Sequence, residues 1–366
     1  MGLIGAGLSE HTGMMAAWIE ARRAGKQAIL ATIAGVRGSS YRGLGAQMLV
    51  IDDGSRVGSV SGGCLEADIV RKAFWWLEDR NFFLKTYDTE SAEDGFALGC
   101  GGSIDILIER LSDRGDEPNP LTVRQVVTER RELAVVGTWL SEASLGRRRV
   151  WWPADLAAAA AGRAELPVGL DMAVTEARNV VTLDRDETVL LQVIERPIHV
   201  LVCGAGFDAQ PVVRFAASLG WSVTVVDRRA DFARAERFAE AERVMCIRRA
   251  KDLAGVCVDE RTAVVVMSHS YAQDLFFLEQ LAERHPRYLG LMGAKARTQS
   301  LLSKVSVTPS VDMLHAPVGL DLGAESPEEI GLAIVAEIAA CFRGRAGGRL
   351  RATRTSLHPR SHLKAT

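Results

Sequence analysis

The chain has 366 residues, 48% of them hydrophobic and 25% charged, with a formal net charge of −2. That is the mix of an ordinary globular protein, and so balanced a charge gives no global pull toward nucleic acid or an anionic membrane, so any anion site must be local. The length exceeds what one hydrophobic core usually organises, which favours two domains.

Near the start, "MGLIGAGLSEHTG" has no basic region ahead of an apolar stretch, so no secretory signal is expected. No apolar run approaches the ~18 residues that a spanning helix needs. The expectation is a cytoplasmic protein with no membrane span and no nucleic-acid partner. Cysteines stand at 64, 100, 203, 246, 257 and 341 without any C-x-x-C pair, which speaks against a disulfide framework and against a Cys-rich zinc site.

In chain order, a helix is predicted from His11 to Arg23, then a buried strand at "QAILATIAGV" that enters the turn "RGSSYRGLGAQ". In that turn Gly38, Ser39, Ser40, Arg42 and Gly45 offer N–H groups, hydroxyls and one cation. They form either an oxyanion cradle or a plain surface hairpin. "QMLVI" is a second strand. "VGSVSGGC" then feeds a helix, because Leu65, Ile69, Ala73, Phe74 and Leu77 recur at helical spacing.

Ser61, Gly62, Gly63, Cys64 and Glu66 sit where that helix begins. A helix N-terminus favours thiolate at Cys64, and Glu66 complements the same dipole or simply caps the helix. Cys100 lies between Gly99 and Gly101, with Gly102 next, ahead of the strand "SIDILIERL". For both cysteines, metal, redox chemistry, sulfur handling and close packing beside glycine remain open. This first mixed α/β domain is assigned to residues 1–115. Residues 116–196, with a helix at "LTVRQVVTER" and strands at "ELAVVGTWLS" and "TVLLQVIERP", are the remainder of that domain or a bridging module.

Residues 197–345 alternate strand and helix, the pattern of right-handed βαβ units and a Rossmann-like, doubly wound parallel sheet. "VCGAGFDA" holds Gly204-x-Gly206-x-x-Ala209 between a strand and a helix, and Asp227 closes the next strand. Strand, glycine turn, helix and acid in that order are strong for the fold. Whether a nicotinamide nucleotide binds is a separate question: Asp227 suits a ribose hydroxyl, whereas Arg228 and Arg229 suit a phosphate. At other strand ends, His269 and Lys295 are either site residues or, respectively, a helix-entry hydrogen-bonder and a solvated surface group. "SPEEIGLAIVAEIAACF" predicts a final helix with Ser326 as N-cap and Pro327 at its first position. The tail, 346–366, is basic and expected to be disordered.

Together, "GSSYRGLGAQMLV", "GSVSGGCLEADIV", "LGCGGSIDILIERL", "VLVCGAGFDAQPVVRFAASLGWSVTVVDRR", "VVVMSHSYAQD", "YLGLMGAKAR" and "APVGLDLGAESPEEIGLAIVAEI" resemble the XdhC/CoxI family, accessory proteins of xanthine dehydrogenase and related molybdenum hydroxylases. The resemblance implies a molybdenum cofactor chaperone that protects the cofactor, helps to sulfurate it and inserts it. Its partners would be an apo molybdenum hydroxylase, a cysteine desulfurase and cofactor-biosynthesis proteins, and a homodimer is compatible with it.

The cofactor would be molybdopterin or its cytosine dinucleotide, with Cys64 and Cys100 as molybdenum-proximal thiolates. Tyr41 departs from the family's common proline, and Phe207 from the histidine of "GAGH"-like members. Two alternatives stand beside this: an NAD(P)-dependent oxidoreductase using the Rossmann turn, and a sulfurtransferase carrying persulfide on Cys64 or Cys100.

Overall fold

A computed structural model describes residues 10–38, 40–63, 65–88, 102–112 and 118–352. It begins with helix α1 (Glu10–Arg23) and strand β1 (Ala28–Gly38), whose residues from Ala28 to Gly35 are all buried. Alternation across the strand explains the unbroken apolar run. Ile29, Ala31 and Ile33 pack on Ile69 and Ala73 of α2 (Glu66–Trp76) and on Leu77 at its C-cap, while Ala28 and Leu30 pack on Met14, Ala17, Trp18 and Ala21 of α1.

Strands β2 (Gln47–Ile51), β3 (Arg56–Gly58), β4 (Phe82–Asp88) and β5 (Gly102–Arg110) complete an antiparallel sheet of order β3-β2-β1-β5-β4. Its register shifts between Ile33 and Gly35. A Cβ on Gly35 would come within 2.4 Å of the Asp105 carboxylate, so the bare backbone there admits the Arg37–Asp105 ion pair.

The segment after this sheet opens with α3 (Pro120–Arg130), where the Asn119 side chain accepts from the Leu121 and Thr122 amides. Strands β6 (Ala134–Trp139) and β7 (Arg148–Trp151), helices α4 (Pro153–Ala160) and α5 (Leu170–Thr175), and strands β8 (Val180–Asp184) and β9 (Glu187–Ile194) follow. The strands form a second antiparallel sheet, β7-β6-β9-β8. Val123 and Val127 of α3 cover Ala134, Val136 and Ile194. Ala34 and Leu107 of the first sheet pack with Leu140, Val181 and Leu190, so both sheets belong to one compact unit, Glu10–Arg196.

The second unit starts at Pro197. It runs through β10 (His199–Cys203), α6 (Ala209–Ser218), β11 (Ser222–Asp227), β12 (Arg243–Cys246), β13 (Thr262–Val266), α7 (Tyr271–Leu281), β14 (Tyr288–Leu291), α8 (Lys295–Leu302), β15 (Leu314–His315) and α9 (Pro327–Phe342). Its six strands are parallel throughout, in the order β12-β11-β10-β13-β14-β15. Counted within the unit this is 3-2-1-4-5-6, the Rossmann order, as the alternating strands and helices predict.

Val200 and Val202 face α6 and α9, while Leu201 and Cys203 face α7 and α8. Helix α9 carries the predicted cap, with the Ser326 hydroxyl accepting from the Glu329 amide. No helix among the described residues is long and apolar enough to cross a membrane.

Candidate functional site

In the first unit the turn between β3 and α2 is organised by Glu66. Its buried carboxylate accepts from the Val60 amide at 3.1 Å, the Ser61 amide at 2.7 Å and the Ser61 hydroxyl. Burial pushes this carboxyl upward, but those hydrogen bonds outweigh it and hold the group below its ordinary value. The Ser61 Oγ in turn accepts from the Gly63 and Leu65 amides. Glu66 is therefore more than a dipole partner: it clamps the loop that precedes its own helix.

A second tie comes from Glu10, in the first turn of α1. One of its oxygens accepts from the Ser59 amide at 3.0 Å, and the other pairs with Arg42 at 2.7 Å. The 40–45 and 58–63 turns are thus joined through one carboxylate, and Arg42 serves as that joint. Gly45, placed at the sequence level in either an oxyanion cradle or a plain hairpin, meets a close structural constraint. With φ +78°, it lies where a Cβ would meet the Asn179 side-chain nitrogen at 2.1 Å. Asn179 donates to Leu44 O at 2.8 Å and accepts from the Val193 amide at 2.9 Å, pinning the turn to the second sheet.

Gly38 and Gly102 are register partners across β1 and β5. Ser39, Cys64, Cys100 and Gly101 lie outside the described residues. A cavity of about 300 Å3 opens on the 58–63 turn, with Tyr41, Arg56, Ser61, Gly62 and Gly63 among its lining.

In the second unit the loops leaving β10 and β13 pack on each other at the switch point of the sheet, where ligands of such folds bind. Gly204, at φ +120°, has no room for a Cβ, which would lie 2.6 Å from Ser268 Cα and 2.7 Å from the Met267 carbonyl. His269 adopts a left-handed φ of +58°, and its Nε2 meets Asp208 Oδ2 at 2.7 Å. Asp274, buried, accepts from the Ser268 amide and hydroxyl and from Arg297 at 2.6 Å.

Asp227 is buried with both oxygens engaged. Oδ2 takes the Ala205 amide and Arg229 Nη2, and Oδ1 takes the amide and Nε of Arg229, all within 3.0 Å. Against the upward push of burial, these partners hold its pKa down. Lys295 is exposed at the start of α8, whereas Arg297, two residues on, reaches the loop network. The Cys203 thiol is buried and pushed well up by burial and by the charges of Asp274 and Asp227, so it is no nucleophile.

The structure therefore unites Arg42 with the Ser61–Glu66 turn, and Gly204–Gly206 with His269. The sequence alone does not mark Glu10, Asn179, Asp208 or Arg297, whose contacts span 23 to 135 residues of chain. Asp208, inside "GAGFDA", and Arg297, at the end of "YLGLMGAKAR", stand within recognisable motifs, but nothing in those motifs points to their partners. Among the described residues no group of three or more His, Cys, Asp or Glu could hold a metal ion.

These features define a class of protein: a mixed α/β unit with a clamped glycine-serine turn, followed in the chain by a Rossmann unit. The chain belongs to the XdhC and CoxI family. The family model of that description matches residues 21–88, and the one described as the XdhC Rossmann domain matches residues 200–338. A protein of Bacillus subtilis (strain 168), described as a probable xanthine dehydrogenase subunit, is 30% identical over 321 residues, covering 86% of this chain and 92% of that protein. The molybdenum cofactor insertion chaperone PaoD of Escherichia coli (strain K12) is 26% identical, covering 90% and 88%. A crystal structure described as a xanthine dehydrogenase from Bacillus halodurans matches with a TM-score of 0.73 at 25% identity, over 95% of this chain and 98% of that one.

Proposed function

We propose that this protein binds the molybdenum cofactor, shields it, and hands it to an apo molybdenum hydroxylase of the xanthine dehydrogenase type. The observation that carries this reading is the kinship, along nearly the whole of both chains, with a molybdenum cofactor insertion chaperone. The residues at the 58–63 turn fit such a cargo. Gly63, at φ +119°, has open space where a Cβ would be, and the Gly62 amide and Ser59 hydroxyl have no partner among the described residues. Backbone donors and a nearby guanidinium suit an anionic ligand without net protein charge.

Cys64 and Cys100 are proposed as thiolates close to the molybdenum or its dithiolene, a role that rests on their place in the sequence. Sulfuration of the bound cofactor, with a cysteine desulfurase as donor, is part of the same proposal, as is a cytosine dinucleotide form for the cargo. Anaerobic purification from a cofactor-producing host, followed by pterin release and molybdenum analysis, tests the reading. Pterin and molybdenum in comparable amounts are expected, and protein that carries neither would overturn it.

The Rossmann strand order favours a second reading, an NAD(P)-dependent oxidoreductase. Against it stands Asp227, whose oxygens are both engaged within the fold and leave no free acceptor for a ribose hydroxyl.

A further inference from the structure

The cavity at the 58–63 turn is bounded by an aromatic ring and a cation that the fold itself does not use. Tyr41 is 70% exposed, and its ring lies 3.9 Å from where a Gly62 Cβ would be. Ring and bare backbone thus border the same space with no side chain between them. Arg56 is exposed on β3 and has no ion-pair partner among the described residues, in contrast to Arg42, which Glu10 holds. The turn beneath them is pre-set, because Glu66 and Glu10 fix the amides of Ser59, Val60 and Ser61 before any ligand arrives.

We infer that this cavity binds a planar heteroaromatic ring bearing one anionic substituent, the ring stacking on Tyr41 and the anion pairing with Arg56. Tyrosine faces accept flat heterocycles through stacking, and a guanidinium matches carboxylate or phosphate geometry. The Gly62 amide and the Ser59 hydroxyl add hydrogen-bonding groups for the ring's polar edge. At about 300 Å3 the cavity is at the low end for small-molecule sites, so it takes one bicyclic ring and its nearest charge, not a dinucleotide. The inference rests on the cofactor reading and names the part of the cargo that the first unit grips.

Pterin-6-carboxylate, followed by its fluorescence during titration of the full-length protein, tests this. Binding should weaken about tenfold in Tyr41→Ala and stay near wild type in Tyr41→Phe. Arg56→Gln should weaken it about tenfold as well, and should leave the binding of unsubstituted pterin unchanged. Both side chains are exposed, so thermal melts of the variants should overlay the wild type. Wild-type affinity in Tyr41→Ala and Arg56→Gln, or no probe binding by the wild type, overturns the inference. Cofactor content from producing cells separates the two readings. Equal loading of wild type and both variants sinks the Tyr41–Arg56 site alone, whereas an empty wild type that still binds the probe through Tyr41 sinks the cofactor reading.

Discussion

His11 shows how much one position depends on neighbours that are distant in the chain. Burial, with the charges of Arg124 and Arg42 added, lowers its pKa to about 3. Unfolded, it would titrate near 6.5, so between about 6.5 and 3 the unfolded chain holds a proton that the folded chain refuses. Stability should therefore fall as pH drops through that window, by up to about 1.4 kcal/mol per pH unit from this group. Urea midpoints measured from pH 7 to pH 4 should show the slope, and His11→Asn should flatten it. Glu66 acts at lower pH: its depressed carboxyl adds stability above about pH 4.3 that is lost as pH falls through its folded value. Glu66→Gln, which gives up a charged acceptor of three hydrogen bonds, should cost about 2 kcal/mol in chemical denaturation at pH 7 and reduce bound cofactor.

Between elements, the turns are held by close approach and not by local propensity. Gly45→Ala adds a methyl where Asn179 stands, in a left-handed conformation, and should lower stability by about 2–3 kcal/mol. Asn179→Ala frees Leu44 O and the Val193 amide and should cost about 1–2 kcal/mol. Gly204→Ala should be worse than either, because the obstructing atoms are the backbone of Met267 and Ser268. A melting temperature equal to wild type in Gly204→Ala would contradict the packing of these two loops.

For the molecule as a whole, the expected consequence of the cofactor reading is selective. Cys64→Ala and Cys100→Ala should lower the molybdenum and pterin content of the purified protein, and Cys257→Ala, exposed in the second unit, should not. Mass spectrometry after treatment with a desulfurase and cysteine should show added sulfur on Cys64 or Cys100 if the chain itself relays sulfur. Titration with NADH and NADPH should give no tight complex while Asp227 keeps its partners.

Much of this architecture is determined by the sequence alone. β1, β2, β10, β11 and β13 are apolar runs bounded by glycine or polar turns, β5 alternates Ile104, Ile106 and Ile108, and α9 announces its cap in "SPEE". Periodicity and turn chemistry are local, so they survive without a structure. The middle segment is less legible, since β7 and β8 are short and gain their burial from tertiary partners such as Leu170, Ala34 and Leu107.

What only the tertiary structure decided is which charges are available. Asp227, Arg42 and Gly45 have the types and spacing of ligand-binding residues, yet Arg229, Glu10 and Asn179 engage them inside the fold. Tyr41, a departure within the first motif, and Arg56, which no motif marks, are left lining the open cavity. A residue's type sets what it can bind; whether it is free to do so depends on partners that only folding brings within hydrogen-bond distance.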